Sequence, residues 1–348
     1  MATKKLARKE LDPSAIMQVG FGFWASKTLL AAVKLGLFTH LDKGAQTAEQ
    51  IRASLRLHGR NLVDYLDALF SLGFLKRRGV GPGAKYSNTP ETGAFLVKGK
   101  PQYLGALLEM SNDRLYRFWA DLEESLRTGE AQSEIKTARK DGFTAIYENP
   151  GRLRQFTEAM SSIQMGAFVA FAQRFNFSKH KLMVDVGGSA AALSSLVVQH
   201  NPHMRCINYD LPALEPLAKE SITRFGVEDR VQIQNGNFFT EEALPKADLI
   251  TMGNILHSFD LPSKKLLLRK AYKALPQGGE LAIIELILDK ERRKNTLGLL
   301  LSVNMLVETA GGFNFTLADL EGWAKEAGFR KVRIQPLAGA TSVAVAVK

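Results

Sequence analysis

Apolar residues follow two regimes along this chain. Up to about residue 175 they recur three and four positions apart, as in helices that bury one face. From Lys181 onward they gather in short unbroken runs separated by amphipathic stretches, as in strands covered on both faces by helices. In the first regime, Phe23 to Leu37 predicts a helix that stops near Gly36. Thr47 is placed to cap a short helix, Gly59 marks a turn, and Asn61 to Leu72 predicts a second helix. That helix puts Leu62, Tyr65, Leu66, Leu69 and Phe70 on one face and ends at Gly73. Phe74 to Asn88 reads as two short strands around a Gly/Pro-rich loop, which completes a winged helix. Residues 101–175 read as almost wholly helical. Their aromatics (Tyr103, Tyr116, Phe118, Trp119, Phe143, Tyr147, Phe156) suit either a core or the lining of an apolar ligand site.

The second regime predicts strands at 182–186, 204–209, 231–234, 247–252 and 280–286, with helices near 190–200, 213–225 and 263–275. Strands alternating with helices imply a parallel sheet wound on both faces. Leu317 to Ala327 is a further helix, capped by Thr316 and closed by Gly328. The strands 331–335 and 341–347 are joined only by PLAGA, too short for a parallel crossover, so they must pair as a hairpin. The expected organisation is a winged-helix domain over 1–100, a helical connector over 101–175 and an α/β domain over 176–348.

Composition narrows the picture modestly. At 348 residues, 45% hydrophobic and 23% charged, the chain has ample core material for two or three cooperating units. No unbroken apolar run approaches a membrane span, and MATKKLARKELDPS lacks the apolar stretch of a secretory signal. The single cysteine, Cys206, rules out an internal disulfide and suits a reducing compartment, so a cytoplasmic location is expected. The six histidines show no ligand spacing, so no metal is expected. The formal charge of +11 is dispersed over short clusters such as Lys76-Arg77-Arg78 and Arg292-Arg293-Lys294. A winged helix invites a nucleic-acid reading, but Asp64 and Asp67 on its second helix would repel phosphates. Packing or dimerisation is the expected role.

The first strand runs into VDVGGSAAALSSL, where Gly187 and Gly188 let backbone approach a ligand. The run lacks both the G-x-G-x-x-G spacing and a Walker lysine, which argues against NAD and ATP. Asp210 ends the second strand where an acidic residue can accept bonds from a ribose, and Asn237-Phe238 follows the third, where it can border an adenine. All three positions lie at the carboxyl ends of strands.

With these motifs in place the chain resembles the small-molecule O-methyltransferases of the caffeate, hydroxyindole and bacterial polyketide type. FWADLEESLRTGE, FTEAMS, VDVGG, YDLP, GNFF, ADLITMGNILHSF, ALPQGGELAIIE and AGGFNFT carry the resemblance over nearly the whole chain. It implies a class I methyltransferase fold, a Rossmann-like α/β sheet with a terminal antiparallel hairpin. It also implies S-adenosyl-L-methionine as cofactor, S-adenosyl-L-homocysteine as product, and a homodimer built through the N-terminal domain. By the same resemblance Gly187, Gly188, Asp210, Leu211, Asn237, Phe238, Gly253 and Asn254 bind the cofactor. His257 is the catalytic histidine, Glu285 orients it, and Met160, Met305 and Asn314 face the acceptor. Several positions depart from the pattern: Ser189 and Ala191 stand where glycines are usual, and Asn237 replaces an aspartate. Ser258 and Phe259 replace the Asp-Trp after the histidine, and Asn314 replaces a second orienting glutamate.

The chemistry explains the histidine. Full transfer of a phenol proton to an imidazole costs about 4 to 5 kcal/mol, and a carboxylate on the other ring nitrogen reduces that cost. The leading expectation is O-methylation of a hydroxylated aromatic or polycyclic molecule. C- or N-methylation on the same scaffold, or a non-catalytic SAM- or ligand-binding winged-helix protein, stay open at this point.

Overall fold

The structure, a computed structural model, describes residues 11–100, 102–138 and 146–348. Phe143, one of the aromatics noted above, lies outside the described residues. The chain divides into two compact units, Met1–Asp113 and Arg114–Lys348, so the helical stretch expected as a connector is shared between them.

In the first unit Thr47 closes a capping box with Gln50 and starts the helix Ala48–Leu55. The helix Leu62–Ser71 follows Asn61, and Gly73, at φ 81°, lets the chain turn out of it. Strands β2 (Leu75–Arg78) and β3 (Lys85–Asn88) pair antiparallel as expected. A two-residue strand, β1 (Gln46–Thr47), adds to the far side of β3, which the sequence reading missed. The helix expected over Phe23–Leu37 spans Gly22–Lys34 instead, because Gly36 adopts φ 72° and a new helix, Leu37–Leu41, begins after it. Phe38, Ile51, Leu66, Leu69 and Tyr86 form the centre of this unit's core. Asp67 does not face outward as a free charge. It accepts from the Tyr86 hydroxyl at 2.7 Å and pairs with Arg77 of the wing at 2.7 Å.

Ser14–Lys34 is, by length and composition, apolar enough to cross a membrane, which a search for unbroken apolar runs overlooks. Its inner face buries Leu30, Ala32 and Val33, while Ile16, Met17, Val19, Phe23 and Trp24 are exposed.

The second unit holds a seven-stranded sheet in the order β6-β5-β4-β7-β8-β10-β9. Its strands are β4 (Leu182–Val186), β5 (Arg205–Asp210), β6 (Val231–Asn235), β7 (Leu249–Gly253), β8 (Glu280–Glu285), β9 (Lys331–Ala338) and β10 (Thr341–Val347). Strands β4 to β8 pair in parallel, and β10 runs antiparallel between β8 and β9. The hairpin is tighter than expected: β9 continues through PLA, and Gly339, at φ 56°, makes the turn. Two apolar layers sandwich the sheet. One is built around Phe168, Phe171, Phe175 and Phe177, the other around Leu256, Leu267, Leu268 and Leu320. Cys206 lies buried on β5, and burial pushes its thiol well above the ordinary value. At the amino end of β8, Glu280 accepts from Lys179 at 2.8 Å, Arg333 at 2.9 Å and His180 at 3.1 Å, and these partners hold its carboxyl far below the usual range despite burial. The helix Thr296–Glu308 was not foreseen.

Candidate functional site

The parallel strands all deliver their carboxyl ends to one edge, and the connections leaving that edge build the site. After β4 the chain turns at Gly187, φ 72°, and enters the helix Ala192–His200. A side chain at Gly187 would overlap Ile255, and one at Gly188 would overlap Asn208 and come within 2.9 Å of an Asp185 carboxylate oxygen. Glycine is required there by close packing. Ser189 and Ala191, the departures from the glycine pattern, keep positive φ values of 49° and 58°. The loop therefore holds its glycine-like shape, at a strain of about 1–2 kcal/mol per residue. A cavity opens beside it, lined by Met160, Gln164, Asp185, Gly187, Gly188 and Gly253 among others.

Two buried carboxylates border this loop. Asp210, at the end of β5, accepts from the Ser189 N–H at 2.8 Å and the Leu211 N–H at 2.7 Å. Burial still raises its carboxyl to about 6, against the pull of those two donors. Asp185 sits within β4, takes a hydroxyl bond from Thr251 at 2.8 Å, and is pushed by burial to about 7. Sequence reading passed over Asp185, although an acidic residue inside the apolar run LMVDV is itself a signal. Asn208 donates to the Ser189 carbonyl at 3.1 Å, and its own Oδ1 is buried without a partner. S-adenosylmethionine carries two positive centres and a ribose diol, and two buried carboxylates with an unpaired acceptor suit such a ligand.

Asn237 uses its side-chain oxygen to accept from the Phe239 N–H at 2.9 Å, which folds the loop after β6 into a tight turn. Lys270, from the helix Leu261–Ala274, pins that loop by donating to the carbonyls of Phe238 (2.8 Å), Phe239 (3.1 Å) and Glu241 (2.6 Å). Phe238 lies near Gly187, and its ring meets Phe239 and Phe259 edge-on. Phe259 follows His257 by two residues, so the aromatic trio ties the β6 loop to the histidine turn.

β7 ends at Gly253 with Asn254 at φ 54°, and a short turn, Leu256–Ser258, carries His257. Its Nδ1 lies 2.6 Å from Glu285 Oε2, and its backbone N–H donates to Glu285 Oε1 at 3.2 Å. His257 is 7% exposed and Glu285 1%, so one carboxylate grips both ring and backbone in a buried site. Gly312 closes against this turn: a side chain there would come within 2.7 Å of the His257 carbonyl. Glu308, at the end of the helix Thr296–Glu308, is a further carboxylate on this side, part-buried at 17% exposure and 3.4 Å from Arg114. Burial raises its carboxyl, and Arg114, Asn304 and His257 oppose that rise.

The structure gathers Gly187, Gly188, Gly253 and Met160 around one cavity, with Asp210 and Leu211 bonded at its border. Met305 is buried on the helix that ends in Glu308. Asn314 does not stand open to an acceptor. It is 2% exposed, donates to the Leu286 carbonyl at 3.1 Å, and keeps a buried Oδ1 without a partner. No cluster of metal-ligating side chains occurs among the described residues.

Comparison with known proteins gives these positions a family. The O-methyltransferase domain family matches residues 119–330, and the O-methyltransferase dimerisation domain matches residues 17–98. The tetracenomycin polyketide synthesis 8-O-methyl transferase TcmO of Streptomyces glaucescens is 33% identical over 97% of both chains. The bovine (Bos taurus) acetylserotonin O-methyltransferase is 30% identical over 96% of this chain and 97% of its own. The N,N-dimethyltransferase OxyT of Streptomyces rimosus is 34% identical over 79% of this chain and 78% of its own. Among solved structures, human N-acetylserotonin methyltransferase in complex with SAM superposes with a TM-score of 0.90 at 28% identity, over 100% of this chain and 99% of its own. Sheet order, glycine loop, buried carboxylates, histidine–glutamate pair and these likenesses agree, and the chain belongs to the S-adenosylmethionine-dependent O-methyltransferases.

Proposed function

We propose that this enzyme methylates a hydroxyl group of an aromatic or polycyclic small molecule, with His257 as general base and Glu285 as its orienting partner. The observation that carries the reading is the grip of one buried carboxylate on both the ring Nδ1 and the backbone N–H of His257. A carboxylate accepting at Nδ1 leaves Nε2 as the acceptor for the proton of an incoming hydroxyl, and it stabilises the imidazolium that forms. Bound S-adenosylmethionine supplies an electrophilic methyl group on its sulfonium. The chain's part is to place the acceptor oxygen in line and remove its proton.

Cofactor binding falls to the strand-end residues. Gly187, Gly188 and Gly253 give close backbone approach, Asp210 with Leu211 takes the ribose, and Asn237 with Phe238 borders the adenine. The neighbouring Asn254 helps shape this border. Asp185 lies where it can meet the methionyl ammonium. Met160 and Met305 serve the acceptor side, and Asn314 shapes it from behind through the Leu286 carbonyl. TcmO and the naphthoate 3-O-methyltransferase of Streptomyces sahachiroi, 29% identical over 97% of this chain, are named for polyketide and hydroxynaphthoate methylation. They support a polycyclic or aromatic acceptor here. The likeness to OxyT favours an amine as the second reading.

The exposed apolar stripe of Ser14–Lys34 is read as a homodimer surface rather than a membrane or nucleic-acid contact, since the dimerisation family matches from residue 17. A reducing cytoplasmic setting accords with the lone buried Cys206.

The test is His257→Ala assayed with labelled S-adenosylmethionine against hydroxyindole, hydroxynaphthoate, hydroxyanthraquinone and aromatic amine acceptors. Turnover of a hydroxyl acceptor should fall at least 100-fold while S-adenosylhomocysteine binding stays within two-fold. Unchanged turnover would remove His257 from the mechanism, and turnover of amines alone would move the reading to N-methylation.

A further inference from the structure

The buried face of the helix Leu261–Ala274 runs Lys264, Leu267, Leu268, Ala271, Ala274. These spacings define an apolar stripe, and its first position is occupied by a lysine of 0% exposure. An ammonium is an expensive occupant of a core position, where a leucine or methionine would suit better. Its surroundings show what it meets. Nζ donates to the carbonyl of Phe259, two residues beyond His257. It lies 3.4 Å from the centroid of the Phe313 ring, next to Asn314. The same segment presses Gly312 against the His257 carbonyl, and Asn314 reaches the carbonyl of Leu286, the neighbour of Glu285. Lys264 thus touches the two backbone segments that close around the histidine–glutamate pair.

We propose that Lys264 is a positioning residue for methyl transfer: its buried ammonium ties the His257 turn to the Gly312–Asn314 segment. The proposal rests on the reading of His257 and Glu285 as the base pair. Two interactions act together here: a charge-assisted bond to a carbonyl and a cation–π contact. Both are strongest with the lysine protonated, since the cation–π contact and the charge assistance of the bond need the ammonium. Burial lowers its ammonium to about 8, with Glu285 and Asp260 pulling it back up. Those are the charged groups acting on it: Glu285 on β8 and Asp260 at the start of its own helix. Glu326, on the neighbouring helix Leu317–Ala327, is engaged by Lys265 at 2.7 Å. The tie is therefore at full strength below about pH 8 and weakens as pH rises through that value.

Two measurements test this, the first without an acceptor. The enzyme, labelled with carbon-13 at lysine Cε and saturated with S-adenosylhomocysteine, is titrated by NMR, and Lys264 is assigned by its loss in Lys264→Met. Its midpoint should fall by about one pH unit in Glu285→Gln and by less in Asp260→Asn. An unmoved midpoint in Glu285→Gln, with cofactor binding retained, overturns the placement of the ammonium beside the base pair. The second measurement is kinetic, with whichever acceptor of the panel is turned over fastest. Lys264→Met should lower kcat about ten-fold with the KM for S-adenosylmethionine within two-fold. Lys264→Arg should restore kcat and abolish the decline of kcat above pH 8 seen in the wild type. Wild-type kcat and pH profile in Lys264→Met would overturn the positioning role. Failure of the base reading itself shows separately, as full turnover in His257→Ala.

Discussion

Asp185 and Asp210 set an opposition between stability and binding at the level of single side chains. Both carboxyls lie above the ordinary aspartate value, at about 7 and about 6, chiefly through burial. Because the folded form holds their protons more tightly than the unfolded chain, each is a stability cost that grows as pH rises from about 4 to its folded value. Above that value the cost is complete. A ligand bringing a cation and hydroxyl donors offsets it only when the carboxylates are ionised. S-adenosylhomocysteine affinity should therefore be greatest above pH 7 and fall about ten-fold or more between pH 7.5 and 5.5. Calorimetric titration across that range checks this, and a flat profile would show that neither carboxylate meets the ligand. Glu280 has the opposite sense. Its carboxyl is held down by His180, Arg333 and Lys179, so its contribution is complete at neutral pH and is lost progressively as pH falls below the ordinary glutamate value.

Elements show how far pattern alone reaches. The β4 strand Leu182–Val186, the β10 strand Thr341–Val347 and the helix Leu317–Ala327 fall where period and capping residues place them. Each owes its bounds to local signals: unbroken apolar runs for the strands, Thr316 and Gly328 for the helix. The helix Thr296–Glu308 was missed because TLGLLLSVNMLVE is apolar nearly all round and carries no helical stripe. β1 was missed because two residues pair only through the distant Tyr86 and Lys85. At the site, the glycine turn, the strand-end position of Asp210 and the pairing of His257 with Glu285 were legible through motifs. The contacts of Asp185, Glu308, Lys264 and Lys270 were not, because they join segments far apart in sequence. Gly312 is another such contact, and it gives a prediction for the element it closes. In Gly312→Ala the new methyl would meet Thr309 Oγ1 at 2.5 Å and the His257 carbonyl at 2.7 Å. The histidine turn must then shift, so kcat should fall about ten- to 100-fold with cofactor affinity unchanged. Equal losses in kcat and S-adenosylhomocysteine binding would mean that the whole strand-end edge had been disturbed.

For the whole molecule the main question is what covers the N-terminal stripe. Trp24 is 61% exposed and meets the exposed rings of Phe21 and Phe23, and Ile16 and Met17 are also exposed on the preceding helix. If a second copy covers it, Trp24→Glu should convert a dimer to a monomer of about 38.4 kDa, as read by light scattering behind size exclusion. An unaltered dimer would place the interface elsewhere, and a wild-type monomer that binds vesicles would favour a lipid surface. Charge also reads differently at this scale. Two of the lysines behind the formal +11 are Lys264 and Lys270, both buried against carbonyls, so the net charge overstates what solvent meets.

The lone thiol has a practical consequence for such experiments. Cys206 is 1% exposed within β5, and its raised value leaves almost no thiolate at neutral pH. The native enzyme should be silent toward maleimides and iodoacetamide. A cysteine introduced at Val80, an exposed site in the wing, would then be the sole reactive handle on each protomer. One fluorophore or spin label per subunit could be installed without first removing the native cysteine, and subunit exchange could be followed by energy transfer in otherwise wild-type protein.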